Sequence, residues 1–109
     1  MKRYCLVFVY EDNISKPLFF RTHEEAYRVM EGALVEHIIE HDEDNRSQWL
    51  TETNSLKNVE EAEDEGIFEI TEHRMWADFG SLESGLSAEI FTIGENEIVL
   101  KDDVQVELR

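Results

Sequence analysis

The chain has 109 residues, 41% of them hydrophobic, with 26 acids against 10 bases and a formal net charge of −16. That length holds one core and one domain, 1–109, and the apolar content argues against disorder in spite of the charge. Such a balance speaks against nucleic acid and anionic membrane as partners, because phosphates are repelled, and no run approaches the ~18 apolar residues of a membrane span.

The first element is a strand, Arg3 to Tyr10. It is rich in β-branched and aromatic residues and apolar on both sides: Tyr4, Leu6, Phe8 and Tyr10 on one, Cys5, Val7 and Val9 on the other. A strand of that kind is expected at the centre of a sheet, covered at least in part on both faces. Its opening residues contain too short an apolar run for a secretory leader. Cys5 is the single cysteine, so no disulfide forms within the chain, and the expected compartment is the cytoplasm. Glu11 to Pro17 make a turn. Leu18 to Arg21 form a short second strand pairing back on the first, with Pro17 suiting an edge.

Thr22 to His41 is the one long segment with a clear period. Thr22 and Glu25 make a capping box, and Glu24 and Glu25 lie at the positive end of the helix dipole. Ala26, Tyr27, Val29, Met30, Ala33, Leu34 and Ile38 fill one half of the helical wheel. Val35 and Ile39 fall on the polar side and predict that something covers the second half of the helix. Beyond it, Trp49 and Leu50 are expected to anchor a helical turn. Ser55 reads as the N-cap of a short helix from Leu56 to about Asp64, ended by Gly66.

The remainder reads as strands. Ile67 to Ile70 begins one that extends to Trp76 or Phe79. Gly80 to Gly85 is a loop, Ser87 to Ile93 a strand and Gly94 to Asn96 a turn. Ile98 to Leu100 and Val104 to Leu108 are the last strands. The order β(β)α(α)βββ predicts an α+β fold: a mostly antiparallel sheet of about four or five strands with one long helix, and a second short one, on one face.

Charge is uneven along the chain. Residues 1–23 carry four bases and two acids, residues 24–65 fourteen acids and three bases, and residues 66–109 ten acids and three bases. The middle section is therefore net −11.

His37 and His41 are one helical turn apart and project from the same side, the spacing two imidazoles need to share a zinc ion. The sequence from His37 through Ile38, Ile39 and Glu40 to His41 resembles the inverted zinc-protease motif H-x-x-E-H of the inverzincins. The resemblance implies His37 and His41 as ligands and Glu40 as general base. It covers five residues, and neither a substrate cleft nor a third acidic ligand can be placed. A plain metal site with His23, His73 or an acid as third ligand is the broader form of the same reading. Asp42 to Asn45 opens like a calcium loop, but Arg46 and Ser47 stand where that pattern needs Asp or Asn and then Gly, which excludes it.

No catalytic residue and no cofactor site is assigned. The leading expectation is a non-enzymatic interaction or regulatory protein that meets a basic protein through Glu36, Glu40, Asp42, Glu43, Asp44, Trp49, Glu60, Glu61, Glu63, Asp64 and Glu65. In its sharpest form it is an inhibitor imitating nucleic acid. In size and charge alone the chain is similar to small acidic inhibitors from phages and other mobile elements. The alternatives are a zinc-binding protein using His37 and His41, and a soluble domain with only a structural role. The partner and the oligomeric state are left open.

Overall fold

The computed structural model describes residues 3–11, 13–80 and 85–93. The chain order is β1 (Tyr4–Tyr10), β2 (Asn13–Ile14), β3 (Leu18–Phe20), α1 (His23–His41), a 3-10 turn (Glu43–Asn45), α2 (Arg46–Trp49), α3 (Val59–Asp64), β4 (Phe68–Ile70), β5 (Arg74–Ala77) and β6 (Leu86–Thr92). The six strands form one antiparallel sheet in the order β2-β1-β6-β5-β4, and β3 also pairs with β1. This is the expected α+β architecture. The strands predicted at Ile98–Leu100 and Val104–Leu108, and the turn at Gly94, lie outside the described residues.

α1 begins where its capping box places it. The Thr22 hydroxyl accepts from Glu25 N, and the Glu25 carboxylate accepts from Thr22 N, both at 3.1 Å. Ala26, Met30, Leu34 and Ile38 are fully buried at helical spacing and press on the sheet. Facing them are Leu6 of β1, Ala88 and Ile90 of β6, Met75 and Ala77 of β5, and Phe68 of β4. Val29, expected on the buried side, is exposed at the edge of that stripe. Val35 and Ile39 pack partly against the core, and α2 and the 3-10 turn lie against α1.

Three local expectations are corrected. The short helix starts at Val59, not after Ser55. Leu50 and Leu56 form an antiparallel bridge, and Lys57 N donates to Trp49 O at 2.9 Å, so residues 50–57 fold back as a hairpin before the helix can begin. Asn58 then turns the chain in a left-handed conformation, φ 54°. The helix does stop before Gly66, φ 72°. The run expected as one strand from Ile67 is two. Thr71 breaks it: its hydroxyl accepts from Arg74 N at 3.3 Å, and its own N–H donates to Arg74 O, closing a tight turn between β4 and β5. Asn13 and Ile14, expected within a turn, form β2 and close a hairpin on Val9 and Tyr10.

Side chains alternate across a strand, so register decides what each face shows. With the α1 face taken by Leu6, Phe8 and Tyr10, the opposite face carries Cys5, Val7 and Val9 of β1. Beside these stand Ser87, Glu89 and Phe91 of β6, then Arg74 and Trp76 of β5, with Glu69 on β4. β1 is central, as expected, but the helices all join the core on its other side.

Candidate functional site

The acidic residues of the middle section come to lie on the helical layer. Glu36 and Glu40 are exposed along α1, Glu43 and Asp44 on the 3-10 turn, and Glu60, Glu61, Glu63, Asp64 and Glu65 on and just after α3. α3 is anchored by Ala62, its one buried residue, which sits in the core with Phe68. Gln48 Nε2 donates to Glu61 Oε1 at 3.3 Å and links α2 to α3. Glu60, Glu61, Asp64 and Glu65 surround a shallow depression on α3, while Glu36 and Glu40 flank another with Phe8, Tyr10 and His37. The layer thus gathers most of the predicted acids on one side of the sheet, as one group on and after α3 and another on the second half of α1 and the 3-10 turn.

Trp49 is a correction. It was expected as a contact residue, but only 1% of it is exposed. Its ring stands edge-on to Phe68, centroids 5.5 Å apart, and its indole N–H donates to Asp42 Oδ2 at 3.0 Å. A large aromatic is worth more in a small core than on its surface. Trp49 therefore supports the acidic layer from beneath and offers nothing to a partner.

His37 and His41 do share a face. Their ring centroids are 4.4 Å apart, and His41 Nε2 lies 3.8 Å from Glu40 Oε2. His37 is buried, packed between the edge of Tyr10 at 5.7 Å and the ring of Phe79 at 5.7 Å. Among the described residues no third histidine, cysteine or acid joins them in a group able to hold a metal ion. His23 and His73, expected as third ligands, contact each other instead, centroids 5.5 Å apart. They sit by the first turn of α1, about 21 Å along the helix from His37 at 1.5 Å per residue.

The face of the sheet opposite α1 is not marked as a site by any motif in the sequence. It holds a hollow of about 460 Å³ lined in part by Val7, Val9, Trp76 and Phe91. Trp76 Nε1 donates to Glu69 Oε1 at 2.9 Å, which fixes the indole across the sheet. Phe19 is 36% exposed and Ile14 73% exposed at the β3 and β2 edge. Its sequence signal is the alternation of Cys5, Val7 and Val9, which predicts a face covered at least in part. Cys5 itself is buried, since Phe19 and Phe91 are its neighbours on the flanking strands. Burial pushes its thiol above the ordinary range by desolvation.

No helix among the described residues is long and apolar enough to cross a membrane. No protein-family model, curated protein or solved structure matches the chain.

Proposed function

We propose that the protein is a non-enzymatic interaction protein whose acidic helical layer binds a basic protein, with a nucleic-acid-binding protein as the favoured target. One observation carries this reading: the helices of residues 24–65, a section of net charge −11, join the core from one side of the sheet and carry most of that section's acids. Clustered carboxylates on a rigid layer focus a negative potential, speed encounter with a basic partner and compete with phosphates for it.

The test is displacement of labelled DNA from a panel of basic DNA-binding proteins by the full chain, repeated between 50 and 500 mM salt, conditions over which electrostatic binding weakens steeply, by roughly tenfold or more. Displacement that fades with salt and is lost in the quadruple variant Glu60→Gln, Glu61→Gln, Asp64→Asn, Glu65→Gln supports the reading. Displacement by wild type and variant alike, or none across the panel, removes it.

A second reading, zinc held by His37 and His41, rests on their 4.4 Å ring separation. Calorimetry with zinc alone at neutral pH decides it: binding lost in His41→Ala supports the site, and no heat of binding ends it.

A further inference from the structure

The face of the sheet turned away from α1 is unlike the rest of the molecule. In a chain of net charge −16, the described residues that line its hollow include two acids, Glu69 and Glu89, and one base, Arg74, around an apolar floor. Arg74 and Glu89 are direct cross-strand neighbours on β5 and β6, yet the Arg74 guanidinium makes no ion pair or hydrogen bond among the described residues. One unpaired cation beside one exposed carboxylate makes a self-complementary pattern.

We propose that this face is the interface of a homodimer, two copies packed sheet to sheet. One two-fold arrangement satisfies that pattern. A two-fold axis running along the seam between β5 and β6 exchanges the two strands' positions, because isologous contacts pair residue i with j and j with i. Arg74 of each copy then lies over Glu89 of the other. Trp76 lies over the row of Ser87 and Val9, with its indole held towards Glu69 on β4 and so towards the partner's β1. Sheets stack about 10 Å apart, the spacing at which such side chains interdigitate.

Electrostatics favour this face over any other. With the sheets innermost, the two acidic helical layers point outwards, about 30 Å apart when a helix diameter of about 10 Å is added to each side. That exceeds the Debye length of about 8 Å at physiological ionic strength, so their mutual repulsion is screened. Association through the helical layers would place the same charges in contact. The sheet face, about 20 Å on a side from strand spacing and rise, is small for a permanent interface, and the dimer is a reversible one. The inference is independent of what the acidic layer binds.

Sedimentation velocity on the full chain, from about 1 to 300 μM (the range of reversible dimers), tests it. Wild type is expected to pass from monomer to dimer over this range. Arg74→Glu and Glu89→Arg each set like charges across the interface and are expected to raise the dissociation constant by about tenfold or more. Mixing these two variants is expected to restore dimer, because every cross-interface pair is again opposite in sign. Both positions are exposed, and unchanged far-UV circular dichroism establishes that the variants fold. A wild-type chain that stays monomeric throughout overturns the proposal. So does a dimer indifferent to both substitutions.

Discussion

The indole N–H of Trp49 donates to Asp42 Oδ2 at 3.0 Å, across the corner where α1 gives way to the 3-10 turn. Asp42 is also the C-cap of α1, its N–H bonded to Ile38 O, and its other oxygen accepts from Asn45 Nδ2. One carboxylate thus holds the end of the long helix, the turn after it and the largest buried side chain. Replacing Asp42 with alanine strands a partly buried N–H and should cost about 1–3 kcal/mol. Asp42→Asn keeps an acceptor and should cost less. Urea unfolding of both variants checks this; equal losses would show that the acceptor is not what matters.

At the other end of α1, Thr22→Ala removes the N-cap and should destabilise by about 1 kcal/mol. Thr22→Ser should be nearly silent. Thermal unfolding followed at 222 nm reads both, and an alanine variant as stable as wild type would mean the cap is redundant.

Gly32 lies in the interior of α1, exposed, and a Cβ there would meet no atom within 4 Å. Gly32→Ala should therefore stabilise the protein by roughly 0.5–1 kcal/mol, from backbone entropy and helix propensity. A higher urea midpoint with an unchanged slope is the expected result; a lower midpoint would place an unseen contact at that position.

Cys5 is protonated in the folded chain above the ordinary thiol range, because burial disfavours the thiolate. The unfolded chain ionises first as pH rises, so this group's contribution is complete below the unfolded thiol's pKa, about 8.5. It is lost as pH climbs through the folded value. Native protein at pH 8 should react with a disulfide reagent many-fold more slowly than protein in urea. Equal rates would mean that the pairing of β1 with its neighbours opens readily.

Much of this fold was legible because α1 and the β strands carry strong periods. The capping box at Thr22, the buried stripe from Ala26 to Ile38 and the strands β1, β3 and β6 all follow from spacing alone. What was not legible depends on partners distant in sequence. Leu56 looked like the start of a helix because its pairing with Leu50 is not a periodic signal. Thr71 looked like strand because a hydroxyl that caps a turn is also a β-branched residue. Trp49 looked available because composition cannot tell a core anchor from a surface one. For the site, the acids and the histidine pair were visible as side chains at a spacing. The sheet face was not, since it is assembled by register from β1, β4, β5 and β6, and only the pairing shows which residues end up side by side.

The central pairing of this sheet joins its earliest described strand to its latest: Tyr4 lies opposite Thr92, Tyr10 opposite Leu86, and Ile93 N donates to Arg3 O at 2.7 Å. Contacts so far apart in sequence are slow to form, since the loop between them must close first. During synthesis β1 waits with an unpaired, strongly apolar edge until nearly the whole described chain has emerged. The hairpins to β2 and β3 shield only one side of it, and the open side is the one an aggregating neighbour would take.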